Sequence, residues 1–380
     1  MRSVRQLLAE NGLTAVPEQP FPNDGWSGAT LTAFVRDDGA RFVLKRTSRA
    51  VDWIARATND IALREGLIAG GALHLAEPLV APYLGVASDG DGIALLMPDL
   101  SSDLIAWERP GHDPVVSPET LDRVLDAVAR MHAMPWADYR ATNPDWAWPW
   151  CPLPERLLLL ARPSAERYRA DGLAVGSRFI DGWDAFDKRA PTTARSLVAD
   201  LSADPAPLLT ALAQLPATGL HGDLKLANVA LLDDGRVALI DWAMMALAPV
   251  AVELGWLLVS NSASLPAEPD TVMARYCEAA ERAAAMPLRL GGTWLDPPSV
   301  GPPLEHDPDR HGVLPPRGLE PTIGDWDAQL DLTWIVGLLL RGWRKGLDAE
   351  AGAVLGSGVS ADDDLAWWSA RAVEAADRRL

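Results

Sequence analysis

The chain has only 2 cysteines, Cys151 and Cys277, far apart and without Cys-x-x-Cys spacing. Neither a thiolate zinc cage nor a disulfide framework can be read from them, and a reducing cytoplasm fits. Lysine is nearly as scarce, with Lys45, Lys188, Lys225 and Lys345 the only examples among 34 lysines and arginines. Positive charge is outweighed by 52 acidic residues, giving a formal net charge of −18. So acidic a chain repels phosphate backbones and anionic lipid, which argues against nucleic acid and membrane partners. The best apolar run, Pro249 to Val259, carries Glu253 in its middle and falls short of the roughly 18 residues a membrane span needs. The opening MRSVRQLLAEN reads as a short amphipathic helix rather than a signal peptide, so a soluble cytoplasmic protein is expected. Gly-x-x-x-x-Gly-Lys-Ser/Thr, His-Glu-x-x-His and Gly-x-Ser-x-Gly are all absent, which excludes a P-loop, a zincin helix and a nucleophile elbow.

What is present is enough apolar material, 48% of 380 residues, for two packed units. Residues 1–98 read as a small α+β unit. LTAFVR and RFVLKR flank Asp37-Asp38-Gly39 as a hairpin, Trp53 to Ile68 has helical spacing, and Ile93 to Met97 reads as a buried strand. Residues 99–380 read as mainly helical, with helices near 119–134, 155–169, 193–215, 250–260, 271–285, 325–344 and 361–379. Met286 to Pro321 is Pro/Gly-rich and too long for an ordinary connector, so a functional loop or flap is expected there.

One segment concentrates chemistry: His221-Gly222-Asp223-Leu224-Lys225-Leu226-Ala227-Asn228, then VALLDDGRVALI, then Asp241-Trp242. A two-residue turn centred on Asp234-Gly235 would set Asn228 opposite Asp241. Directly opposed residues have Cβ atoms about 5 Å apart, so an amide oxygen and a carboxylate could share a hard cation such as magnesium. Asp223, five residues before Asn228, could then accept the proton of a hydroxyl beside metal-bound phosphates.

These residues resemble the His-Gly-Asp loop, metal asparagine and Asp-Phe/Trp strand end of the aminoglycoside phosphotransferase family, protein-kinase relatives that include choline kinase-like enzymes. The resemblance implies a two-lobed protein-kinase-like α+β fold, with a small antiparallel amino-terminal sheet and a helical carboxy-terminal lobe. It implies Asp223 as catalytic base, Asn228 and Asp241 as magnesium ligands, and ATP with Mg2+ as cofactors. Lys225, two residues after the base as in protein kinases, would neutralise the transferred phosphoryl group. Around Asp38-Gly39 the same turn arithmetic sets Lys45 opposite Thr32, near Gly25-Trp26-Ser27-Gly28. Gly25, Ser27 and Gly28 could wrap phosphates while Lys45 reaches them as a point charge. Val43-Leu44-Lys45 looks like the family's ATP-lysine strand. Glu65 is the expected partner of that lysine, with Asp60 also in range, and Leu96, Met97 and Pro98 resemble the adenine hinge.

Other features have plainer explanations beside the functional one. His132 reads as a hydrogen-bonded structural histidine, and Glu253 stands where the family usually has an aspartate bracing the catalytic loop. Of 16 tryptophans, Trp146, Trp148 and Trp150 could stack on a sugar or a cation, although packing between helices explains them as well. Asp325, Asp327 and Asp331 could grip substrate amines or simply form a solvated face. The expected activity is γ-phosphoryl transfer from MgATP to a small-molecule hydroxyl, with aminoglycosides, amino sugars and choline-like alcohols as the leading acceptors. A protein Ser/Thr kinase and a nucleotide-binding pseudokinase are the rivals. Only 12 positions separate Asp241 from Glu253, without Ala-Pro-Glu, which disfavours the first. Intact lysine, base and metal positions disfavour the second.

Overall fold

The computed structural model describes residues 2–22, 25–73, 75–105, 115–134, 136, 149–289, 313–314 and 323–380. The strands are Gln19–Pro20 (β1), Thr30–Val35 (β2), Arg41–Thr47 (β3), Leu79–Val80 (β4), Gly85–Asp89 (β5) and Gly92–Pro98 (β6), then Thr218–Leu220 (β7), Val229–Leu231 (β8), Val237–Leu239 (β9) and Ala246–Ala248 (β10), with Leu288–Arg289 (β11) and Val313–Leu314 (β12) as a separate antiparallel pair. Five form an antiparallel sheet in the order β1-β2-β3-β6-β5. Side chains alternate across it as the pleat requires. Leu44 and Leu96 bury one face with Leu7 and Leu13, beneath helix α1 (Val4–Glu10). Val43, Leu95 and Met97 bury the other in the main core of the molecule. That second face is the one Lys45 shares, since Lys45 pairs with Leu95.

Both Asp-Asp-Gly hairpins form, and both are displaced by one residue from the expected register. Lys45 lies opposite Leu31 rather than Thr32, and Asn228 opposite Ile240 rather than Asp241, with Ile240 N–H donating to the Asn228 carbonyl at 3.1 Å. The cause is the turn. Arg36 N–H closes on the Ala40 carbonyl at 2.9 Å and Leu232 N–H on that of Arg236 at 3.0 Å, so each loop holds three residues. Each ends in a glycine in the left-handed region, Gly39 at φ 86° and Gly235 at φ 88°. A three-residue loop with glycine in that position competes with the two-residue turn, and each extra loop residue moves the pairing by one.

Trp53 to Ile68 is two short helices, Trp53–Ala57 (α2) and Arg64–Ala69 (α3), interrupted where Asn59 and Leu63 take φ of 49° and 53°. Pro118–His132 (α4) is capped by the Ser117 hydroxyl, which accepts from Thr120 N–H at 3.1 Å. The expected 155–169 helix is Leu153–Leu158 (α5) and Arg162–Ala170 (α6), and Ala174–Arg189 (α7) was not foreseen. Thr192–Ala203 (α8) and Ala206–Leu212 (α9) divide at Asp204-Pro205, where proline ends helical continuity. Val250–Ser260 (α10), Pro269–Ala285 (α11), Trp326–Glu350 (α12) and Ala361–Arg379 (α13) complete the helical part, which gives the α+β class expected. The long α12 packs against α7, α10 and α13.

Two small sheets place the segment from His221 to Asp241. β7 and β10 pair antiparallel and bracket it, while β4 runs parallel to β9 in the order β4-β9-β8. Leu79–Val80, inside the stretch expected in the amino-terminal unit, therefore bonds directly to the β8–β9 hairpin. Among the described residues no helix is long and apolar enough to cross a membrane.

Candidate active site

The loop after β7 is fixed from behind. Glu253, buried on α10, accepts from His221 N–H at 2.6 Å through Oε2 and from Gly222 N–H at 2.8 Å through Oε1. Burial opposes its ionisation, but His132, His221 and the Gly222 amide outweigh that and hold its pKa below the ordinary range. The longer glutamate thus makes the brace expected of an aspartate. His132 is tied to Tyr276 Oη at 2.6 Å and lies 3.5 Å from Glu253, which bears out its structural reading. The His221 ring contacts the Ile240 carbonyl through Nε2 at 2.9 Å, and a carbonyl can only accept, so the proton sits on Nε2. Gly222 has φ 83°, and a Cβ there would lie 1.9 Å from the Met244 carbonyl oxygen, so the turn admits only glycine.

This clamp presents Asp223. Its Oδ2 lies 3.3 Å from Lys225 Nζ and 3.2 Å from Asn228 Nδ2, which also donates to the Asp223 carbonyl at 2.9 Å. Its Oδ1 is buried and has no hydrogen-bond partner among the described residues. Buried acceptors are almost always paired, so an orphaned carboxylate oxygen marks a place for an incoming donor. The Asp223 charge raises the Lys225 pKa more than burial lowers it.

Lys45 stands between two carboxylates, Nζ donating to Glu65 Oε2 at 2.6 Å and to Asp241 Oδ1 at 2.9 Å. Burial alone would lower its pKa, but Asp241 and Glu65 together push it up. Asp241 is held down to about 2, burial being outweighed by Lys45 and Lys225. Glu65 is raised, because burial dominates over the Lys45 contact. The alternative Asp60 is occupied elsewhere, accepting from Arg64 N–H at 2.9 Å and pairing with its guanidinium at 3.5 Å. Asp241 itself takes φ 66° and ψ 59°, an unusual setting for a non-glycine residue that turns its carboxylate toward Lys45.

A model of the phosphotransferase enzyme family matches residues 20–288, well over half of the chain. The chain belongs to the phosphotransferase enzyme family. Three solved structures are similar along nearly their whole length. A putative aminoglycoside phosphotransferase from Ralstonia eutropha JMP134 is 14% identical, covering 100% of each chain at a TM-score of 0.44. Choline kinase LicA from Streptococcus pneumoniae is 12% identical, covering 98% of this chain and 97% of its own at 0.42. Macrolide 2'-phosphotransferase MphH from Brachybacterium faecium is 16% identical, covering 98% and 95% at 0.41. No match was found among curated protein sequences. Membership rests on the family model.

The remaining expected site residues of this phosphotransferase fall into three groups. Gly25 and Trp26 are exposed and Ser27 half-buried, in a bend where the Ser27 carbonyl accepts from Trp53 N–H at 3.2 Å. Gly28 has φ 95°, with 2.5 Å between a virtual Cβ and the Val51 carbonyl oxygen. Met97 shares the sheet face of Lys45, whereas the Leu96 side chain points to the opposite face under α1, so Leu95 takes the position beside Lys45. Asp331 is engaged by Arg378 at 2.5 Å and Arg379 at 2.8 Å, and Asp325 caps α12 through Ala328 N–H at 3.1 Å. Asp327 is exposed in the first turn of that helix, where its charge complements the dipole. Trp146, Trp148 and most of the 286–321 stretch lie outside the described residues, and Trp150 packs edge-on against Trp136.

Four residues were missed. The Tyr83 hydroxyl donates to Glu65 Oε1 at 2.7 Å and accepts from Asp241 N–H at 3.3 Å, joining both partners of Lys45. Buried Arg64 reaches the Ala243 carbonyl at 2.7 Å and that of Pro149 at 2.6 Å, tying α3 to the segment after Asp241. Buried Arg156 grips the Gly222 carbonyl through Nε at 3.0 Å and Nη2 at 2.7 Å, and lies 4.2 Å over Trp256. Arg341 on α12 lies 4.8 Å over the same Trp256 and 5.0 Å over Trp343. An arginine in a helical stretch gives no sequence signal that it will be buried, because its partners are carbonyls and rings far along the chain.

Proposed function

We propose that the chain transfers the γ-phosphoryl group of MgATP to a hydroxyl of a small molecule. The observation that carries this is the buried, unpartnered Asp223 Oδ1 on a loop clamped by Glu253. Asp223 would take the hydroxyl proton while the acceptor oxygen bonds to the γ-phosphorus and the bond to the β–γ bridging oxygen breaks, releasing ADP. Lys225 would offset charge on the phosphoryl group, and Lys45, oriented by Glu65, would hold the α- and β-phosphates under the Gly25 to Gly28 loop, with Met97 toward the adenine.

The donor set fits magnesium. Asp241 Oδ2 and the Asn228 amide oxygen make no hydrogen bond among the described residues, and both are the hard oxygen donors that ion takes alongside phosphates. Bound there, magnesium would supply charge neutralisation of the phosphates. The reading puts the reaction in the cytoplasm, where ATP is supplied, and two unbridged cysteines support that. The tight path from Asp241 through β10 to α10, starting at Val250, favours a small acceptor over a docked polypeptide.

Acceptor-dependent ADP release with MgATP tests the reading, using aminoglycosides, amino sugars, choline-like alcohols, nucleosides and hydroxy acids, with Asp223→Asn as the paired control. Turnover that disappears in the variant supports it. Absence of MgATP binding to the wild type would sink it.

A further inference from the structure

The wall beside Asp223 is cationic, and among the described residues one of its cations has no carboxylate within ion-pair distance. Arg341 makes no hydrogen bond or ion pair among the described residues, and its Nε is buried and unsatisfied. Its guanidinium is held by its faces, against Trp256 and Trp343, which leaves the in-plane N–H groups unused. The neighbouring Arg344 differs, since it is paired with Asp348 at 3.0 Å. Burial, Arg344 and Arg156 bring the Arg341 pKa down to about 10, with Asp223 and Asp348 opposing them, so the group stays charged at neutral pH.

Arg341 also lies between the two loops the transfer needs. On one side Trp256 carries Arg156, which grips the Gly222 carbonyl next to Asp223. On the other, Trp343 lies 6.5 Å from Trp26 of the glycine loop and 5.0 Å from Phe179. A continuous stack of rings and guanidiniums thus runs from the loop expected over the phosphates to the loop of the base. A cationic acceptor seated against it would meet Lys225, Arg156 and Arg341, while Asp331, expected to grip an amine, is already bound by two arginines.

Resting on the phosphotransferase reading, we infer that Arg341 marks the acceptor subsite and that the acceptor carries an acidic group, a carboxylate or a phosphate, beside the hydroxyl that is phosphorylated. A guanidinium fork meets either anion through two parallel hydrogen bonds, and a half-buried fork without a carboxylate partner is suited to receive one. The hydroxyl end would then reach Asp223 Oδ1, with the anion held on the far side of Lys225.

The test compares matched acceptors on the full chain with MgATP: glycerate against glycerol, gluconate and glucose 6-phosphate against glucose, and kanamycin and choline as cationic arms. Turnover confined to the acidic members is expected, the carboxylate and phosphate arms separating the two anions. Arg341→Met, which keeps the stem between the rings, should raise the acceptor KM roughly 10- to 100-fold with little change in the KM for ATP, and Arg341→Lys should recover part of it. Circular dichroism and the melting temperature check that both variants fold. Stimulation by the neutral or cationic arms alone, no stimulation by any acidic compound, or an Arg341→Met effect on the KM for ATP instead of the acceptor, overturns the inference. Each of those leaves MgATP binding by the wild type intact, whereas its loss in the wild type is failure of the phosphotransferase reading itself.

Discussion

Around Lys45 one ammonium is shared by two carboxylates, Glu65 and Asp241, while around Asp223 one carboxylate faces an ammonium and two guanidiniums. The first cluster carries surplus negative charge and suits a metal cation with its nucleotide. The second carries surplus positive charge and suits the transferred phosphoryl group and an acidic acceptor. Although the chain as a whole is at −18, these two clusters differ in sign over a short distance. Local arrangement, rather than net charge, decides what each can bind.

Removing the one carboxylate of the second cluster should have the largest effect. Asp223→Asn is expected to lower kcat by about 1000-fold or more while MgATP binding, measured by calorimetry, stays within a few-fold of wild type. Equal loss of both would erase the distinction between the clusters. Removing the one cation of the first should act on the nucleotide instead: Lys45→Ala is expected to raise the KM for ATP and to cost about 100-fold in kcat/KM, leaving the acceptor KM nearly unchanged.

The brace behind both clusters is tested by stability. Glu253→Gln should cost about 2–3 kcal/mol in denaturant unfolding, because two buried backbone N–H groups lose a charged acceptor. The pH dependence has a definite sign. The folded-state pKa of Glu253 is lowered, so its contribution is fully present above the ordinary glutamate value of 4.5 and is lost as pH falls below it. Wild-type stability should therefore drop more steeply than that of Glu253→Gln between about pH 5 and pH 3, and parallel curves would refute the role. The smallest effect is expected from Tyr83→Phe, which removes the bridge between Glu65 and Asp241. About 1 kcal/mol of stability and a few-fold rise in the KM for ATP are expected.

The candidate site was legible because its spacing is local. His221 to Asn228 and Asp241 lie on one loop and one hairpin, and Glu65 prevails over Asp60 once Arg64 is seen to occupy the latter. Register was legible only to within one residue. Asp-Asp-Gly admits both a two- and a three-residue loop, and the observed three-residue form shifted Lys45 and Asn228 alike. Leu96, expected at the hinge by resemblance, faces α1 instead, because Leu95 is the residue paired with Lys45 and neighbouring strand residues point to opposite faces.

By itself the sequence determined the α+β class, the candidate loop and lysine strand that the structure forms, and the helices that proline, serine and apolar spacing delimit, because these depend on neighbours within a few residues. Tertiary structure alone decided that Arg156 and Arg341 flank Trp256 beside Asp223, that Asp331 is consumed by Arg378 and Arg379, and that Tyr83 joins Glu65 to Asp241. A long polar side chain takes its partner from whatever packing brings near it. For Arg156 that partner is a carbonyl 66 residues away, and no local pattern in the chain encodes such a distance.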